Sequence, residues 1–168
     1  MTRYIHIFDF FLMDISLFKE ICGTFPTGVT IITTNKHECD YGFTVNSFTS
    51  VSLNPTLILF CLDKKAKSNE SLNKNDFFVV NILSETQEKL CFQFANSDLT
   101  QTQRFKNIST TISKNKIKII DNSCSYLECI LKDIIDGGDH YIYLGECIDG
   151  NIDLTKNKPL IYHKGKIL

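Results

Sequence analysis

Short β-branched and alternating runs, each bounded by a polar turn, recur from residue 28 to residue 163. No helix separates them in regular alternation, and that constrains the fold more than any other feature. Strands joined by tight turns pair antiparallel, whereas a parallel doubly wound sheet needs a helix between successive strands. Residues 28–34 carry Val29-Thr30-Ile31-Ile32-Thr33-Thr34, a strand by its β-branching. A polar hairpin loop over 35–40 leads into a returning strand over 42–51. Alternation there puts Phe43, Val45, Ser47, Thr49 and Val51 on one face and Thr44, Asn46, Phe48 and Ser50 on the other. Pro55 breaks the chain before the next strand. Further strands are expected over 56–62, 77–83, 117–120, 125–135, 141–148 and 159–163, with Asp136-Gly137-Gly138-Asp139 as a hairpin turn. About seven such strands imply a mainly β, antiparallel, closed or partly closed barrel of Greek-key-like character.

Helical signals are few. Ile15, Leu17, Phe18 and Ile21 space a helix over 14–24, with Gly23 as its stop. A short helix is expected over 65–74. Ser84-Glu85-Thr86-Gln87 has the form of a capping box and opens a helix through Leu90, Cys91 and Phe94. Residues 96–116 are polar and without period, and read as a loop. At roughly 150 residues per domain, the 168 residues form one domain, taken as 13–168. Residues 1–12 read as an N-terminal extension, because Met13-Asp14 already looks like a helix start. That stretch is apolar but short, carries Asp9 and lacks a small-residue cleavage site, so neither a signal peptide nor a membrane span is expected.

Hydrophobic residues make up 43% and charged residues 22%, which excludes a wholly disordered chain. Eighteen Lys and Arg against nineteen Asp and Glu leave a net charge of −1. Nucleic-acid binding, which rests on a basic excess, is not expected. The seven cysteines have no C-x-x-C spacing and several sit in apolar runs, so they read as free thiols of a cytoplasmic protein. His37-Glu38-Cys39 finds no second cluster to complete a metal site, and none is expected.

There is no G-x-G-x-x-G, no G-x-x-x-x-G-K-[ST], no G-x-S-x-G and no H-E-x-x-H. A nucleotide would need another device. Three clusters qualify. Thr44-Val45-Asn46-Ser47-Phe48-Thr49-Ser50 concentrates hydroxyls and an amide in a strand; it reads either as a polar barrel exterior or as an edge offering hydrogen bonds to a planar heterocycle. Asp63-Lys64-Lys65-Ala66-Lys67-Ser68 lies between a strand and a short helix; it is either a solvated loop or a phosphate site. Gly137-Gly138-Asp139-His140-Tyr141 puts a titratable ring after a turn, either on the surface or at a site.

Taken in order, Phe25-Pro26-Thr27-Gly28-Val29-Thr30 and Gly42-Phe43-Thr44-Val45-Asn46-Ser47-Phe48-Thr49-Ser50-Val51-Ser52-Leu53-Asn54-Pro55 resemble the short-chain flavin reductase family. Its domain is the FMN-binding split barrel. Phe78-Val79-Val80-Asn81-Ile82-Leu83, Gln87, Leu90, Phe94-Ala95, Arg104-Phe105, Leu127-Glu128-Cys129, Gly138-Asp139-His140 and Pro159-Leu160-Ile161-Tyr162 continue the resemblance across nearly the whole chain.

The resemblance implies an NAD(P)H:flavin oxidoreductase. It would use FMN, or FAD, with NADH or NADPH as co-substrate, and act as a homodimer that supplies reduced flavin to a separate monooxygenase. By the same resemblance Thr44, Val45, Asn46 and Ser47 would line the flavin ring. Ser50 and Val51 would continue that wall, with Cys61 and Leu62 beside it. Lys67 and Ser68 would meet the phosphate, Thr27 and Gly28 would approach the ring, and His140 would sit near the nicotinamide. Two positions depart from the family: Ala66 replaces a frequent hydroxyl, and Gln93 stands where an Arg is common. An FMN-holding electron carrier or ferric reductase on the same barrel, or a non-catalytic flavin-binding module, are the rival readings.

Overall fold

A computed structural model describes residues 13–156 and 158–168; the expected extension over 1–12 lies outside the described residues. Helix α1 (Ile15–Gly23) stands where its periodicity put it. Asp14 caps it, its carboxylate accepting from the Leu17 N–H at 2.8 Å. Its apolar side chains are not core, however: Ile15, Leu17, Phe18 and Ile21 are all at least half exposed.

After α1 come β1 (Thr27–Gly28), β2 (Thr30–Lys36), β3 (Cys39–Val45), β4 (Thr49–Leu53) and β5 (Thr56–Asp63). A 3₁₀ turn (Lys67–Ser71) stands in place of the short helix expected over 65–74. Then follow β6 (Phe77–Ile82), α2 (Glu88–Ala95), α3 (Gln101–Arg104), β7 (Thr110–Ile112) and β8 (Lys118–Ile120). Two long strands, β9 (Ser125–Gly137) and β10 (His140–Ile152), precede the short β11 (Ile161–His163) and β12 (Lys166–Ile167).

Seven strands form one antiparallel sheet in the order β3-β2-β6-β9-β10-β5-β4. Two small sheets, β1-β11-β12 and β7-β8, flank it. The sheet curls around a single apolar interior. Phe43 of β3 and Phe60 of β5 lie 6.1 Å apart between ring centres, and Phe60 stacks on Tyr143 of β10 at 4.9 Å. Ile32, Val80, Phe78 and Leu131 fill the rest of this cluster. Among the described residues no ladder joins β3 to β4 or β5, so the barrel is split rather than closed. A second cluster, with Val29, Ile31, Leu83, Cys91, Phe94 and Leu160, packs α2 onto the outside of β2 and β3. Gly42 makes that contact possible, because a Cβ there would stand 2.2 Å from the Phe94 ring.

The strand expected over 42–51 is two strands. Pairing with β2 ends at Val45 and pairing with β5 begins at Thr49, and the two halves lie at opposite edges of the sheet. The alternation does not carry across the break. Phe43 and Val45 are buried, but Val51 falls at a register shift between Ser50 and Ser52 and is half exposed. The loop expected over 96–116 also holds structure. Thr100 caps α3, its N–H donating to Gln103 Oε1 at 2.8 Å, and β7 pairs with β8.

Candidate functional site

The break between β3 and β4 is the centre of the candidate site. Asn46, Ser47 and Phe48 belong to no ladder, so their backbone groups are not used in strand pairing. Ser47 replaces that pairing with its side chain: Oγ accepts from the Cys61 N–H at 2.8 Å and donates to the Cys61 carbonyl at 3.0 Å. The Asn46 side chain is exposed, and its amide lies 3.4 Å from Thr27 Oγ1. Thr27, Asn46 and Ser47 form one wall of a groove of about 1080 Å³, whose other walls come from α1 and from Tyr162, Lys164 and Gly165.

From Cys61 the strand β5 leads to the lysine loop. Residues 63–69 are tied to the β9–β10 hairpin by several bonds. The Lys64 N–H donates to the Asp139 carbonyl at 3.0 Å, and Lys64 Nζ meets Asp136 at 2.6 Å. Asn69 donates to the carbonyls of Asp63 and Lys64, and its own Oδ1 accepts from the buried Tyr143 hydroxyl at 2.8 Å. On this fixed loop Lys67 is exposed, while Ser68 is buried at the start of the 3₁₀ turn. Among the described residues Lys67 has no ion-pair partner, and it stands with Ser68 on the loop that follows β5, the strand that carries Cys61.

His140 opens β10 opposite Gly137 and Asp63. Its Nδ1 lies 2.7 Å from Asp139 Oδ1, and that contact holds the Asp139 carboxyl below its ordinary range. Lys64 does the same to Asp136. His140 thus joins the lysine-loop half of the site and not the groove of Asn46. Burial pushes the Cys61 thiol up, with the Ser47 hydrogen bond opposing, so Cys61 is no activated nucleophile.

Not every residue expected at the site turns its side chain to it. Thr44 donates to the Cys91 carbonyl at 2.7 Å, toward α2, and Val45 is core. Ser50 and Val51 lie on the edge strand β4, and Leu62 packs against the main interior. Gly28 pairs with Ile161 beside the groove. Gln93 faces α3, where Nε2 donates to the Arg104 carbonyl at 2.8 Å. Tyr162 and the α1 residues read from the sequence only as parts of a motif and a helix, and neither they nor Lys164 are expected at the site from it. Lys164 and Gly165 both take positive φ in the turn between β11 and β12.

No cluster of three or more His, Cys, Asp or Glu side chains among the described residues is placed to share a metal ion. No described helix is long and apolar enough to cross a membrane. What remains is an apolar groove beside backbone that no described strand pairs, and a lysine-bearing loop. Residues 22–167 match the family model of the flavin reductase like domain.

The chain belongs to the flavin reductase family.

As a flavin reductase it is an oxidoreductase. This flavin reductase is 33% identical over 154 residues to the reductase subunit HsaB of a flavin-dependent monooxygenase from Rhodococcus jostii, across 92% of this chain and 77% of that protein. Its fold is similar to that of the NADH:FAD oxidoreductase SgcE6 of Streptomyces globisporus, with a TM-score of 0.86, 31% identity and 92% of each chain covered. The flavin reductase HpaC, solved with NADP+, superposes with a TM-score of 0.79 at 35% identity, over 91% of this chain and 96% of that one.

Proposed function

We propose that this flavin reductase uses FMN, with FAD as the alternative, in the trough that runs from Thr27 and Asn46 past Cys61 to Lys67 and Ser68. The single observation that carries the reading is the backbone at 46–48, outside every ladder among the described residues, clamped by Ser47 to Cys61 and continuous through β5 with a cation-bearing loop. Those elements fit the group: a polar planar ring needs fixed donors beside apolar walls, and a phosphate needs N–H groups and positive charge.

The bound flavin supplies the chemistry, accepting a hydride from NADH or NADPH. The chain's own contribution is binding and charge. Backbone N–H groups at 46–48, held by the Ser47 clamp to Cys61, would stabilise negative charge on a reduced ring bound beside them. Lys67 and Ser68 would hold the phosphate. Apolar residues of α1 give the groove one apolar wall. His140, on the hairpin beside Asp63, is proposed to contact the nicotinamide.

Relatives named as reductase subunits support a further step, in which the reduced flavin passes to a separate monooxygenase. The apolar residues left on the α1 surface and on β4 call for cover, and a homodimer of 13–168 domains in the cytoplasm is the proposed working form. Oxidation of NADH and of NADPH by the purified chain, with FMN, FAD, riboflavin or no flavin, tests the activity. Turnover that depends on added flavin is expected. Flavin retained through turnover would make the protein an electron carrier instead, and no turnover with any flavin would make it a binding module. Light scattering with flavin present tests the dimer.

A further inference from the structure

Cys129 and Cys147 are cross-strand partners, directly opposite one another on β9 and β10. Opposed residues of an antiparallel pair project from the same face, and here the two sulfurs are 3.7 Å apart. Both stand free as thiols. Cys129 is fully buried in the main interior, while Cys147 is half-buried and borders a surface groove with Thr56, Leu127 and Ile152. The flavin trough lies elsewhere.

We propose that Cys129 and Cys147 form a redox-modifiable dithiol, closed to a disulfide by hydrogen peroxide. Cross-strand Cβ atoms stand about 4.5–5.5 Å apart, and a disulfide needs roughly 3.5–4.5 Å. A closure of about an ångström is therefore required. The ladder supplies slack at this point, because the register of β9 and β10 shifts between Cys147 and Asp149.

The two sulfurs are not equivalent. The Cys129 S–H donates to Cys147, which lowers the Cys147 thiol, while the same contact and burial push Cys129 up. Glu146 and the surrounding apolar groups oppose the lowering of Cys147. Because Cys147 borders the groove and Cys129 is fully buried behind it, Cys147 is the sulfur that peroxide reaches and Cys129 the one that resolves it. In the first step the Cys147 sulfur attacks the O–O bond, gains OH as a sulfenic acid, and releases water. In the second the Cys129 sulfur displaces that hydroxyl, which leaves as water with the Cys129 proton. Two thiols are oxidised, one peroxide is reduced, and two waters form. Peroxide is a product that reduced flavin makes when it meets dioxygen, so an enzyme of this family works beside the oxidant. The dithiol itself does not depend on the flavin reading.

The test exposes the chain to one and a few equivalents of hydrogen peroxide. The background is Cys22→Ser with Cys39→Ser, which removes the two exposed thiols. Non-reducing peptide mapping should show one intramolecular link between the peptides of Cys129 and Cys147, lost on treatment with dithiothreitol. Alkylation should find two fewer thiols. In Cys129→Ala the reaction should stop at a sulfenic acid on Cys147, trapped by dimedone; in Cys147→Ser neither product should form. Over-oxidation of Cys147 with Cys129 still reduced, or a disulfide to any other cysteine, would overturn the proposal. The mapping of the parent chain stands even if a variant fails to fold.

Discussion

Ser47 Oγ holds both backbone groups of Cys61, accepting from its N–H and donating to its carbonyl. One hydroxyl thereby does what a strand pair would do, at the point where β3 leaves its edge and the sheet fails to close. Ser47→Ala leaves a part-buried donor and acceptor without partners, at about 1–3 kcal/mol. Thermal unfolding should fall by roughly 2–4 °C for each kcal/mol, and flavin affinity should drop with it, because the 46–48 backbone loses its anchor. Differential scanning calorimetry and flavin titration check both. Unchanged affinity with a lowered melting point would confine Ser47 to stability.

Asn46→Ala should weaken flavin binding or slow turnover more than Asn35→Ala. Asn35 serves a hairpin, donating to Asp40 at 3.1 Å, whereas Asn46 opens onto the groove. The loss of one ligand hydrogen bond costs about 1 kcal/mol, several-fold in the dissociation constant. Steady-state kinetics on the two variants decides; equal behaviour would remove Asn46 from the site.

Lys67→Ala combined with Ser68→Ala should raise the FMN dissociation constant by roughly ten-fold or more, at 1.4 kcal/mol per decade. Riboflavin, which lacks the phosphate, should barely respond. Because Lys67 is exposed, the FMN effect should shrink in concentrated salt. Fluorescence titrations of both ligands measure it. No change for either would return residues 63–68 to a solvated loop.

Asp136→Asn removes the partner of Lys64 at the hairpin tip. The Asp136 carboxyl lies below its ordinary value of 3.8 because it accepts from Lys64 and from the Gly138 N–H. Its stabilising contribution is therefore complete above 3.8 and is lost as pH falls through the lower folded value. The gap in melting temperature between the parent and Asp136→Asn should be constant from neutral pH to about pH 5 and close in stronger acid. A gap that persists in strong acid would mean that the charge is not what matters. The pair is exposed, so the gap should be modest and salt-sensitive.

Local chemistry was legible in the sequence and long-range placement was not. Asp14 as a helix cap and Gly138 as a hairpin residue need only their neighbours, and both stand as expected. At Ser84 the sequence called for a capping box: Gln87 reaches back to the Ser84 N–H at 3.0 Å, while the Ser84 hydroxyl donates to the Asn122 carbonyl at 2.9 Å, across the fold. The Thr100–Gln103 cap was missed inside a polar stretch with no apolar period to draw attention to it. The break at 46–48 could not be read from alternation, since it depends on a curl that carries β4 to the far edge. Thr44 and Val45 follow from that. Their strand was identified, but which side of it faces a ligand depends on α2 lying over Gly42. Gln93 stands out as a departure from the family pattern, yet its task is to hold carbonyls at the end of α3.

The order β3-β2-β6-β9-β10-β5-β4 has a consequence for how the chain acquires its shape. Two blocks, β2-β3-β6 and β4-β5, are made early during synthesis, yet neither touches the other through a ladder. The β9–β10 hairpin is the wedge that joins them, and it arrives near the end of translation. Assembly must therefore wait for pairings far apart in sequence, which makes folding slow relative to a helical chain of this size. Until the hairpin inserts, the inner edges of β6 and β5 are bare, and a nascent or truncated chain that ends before it would be prone to stick to its neighbours.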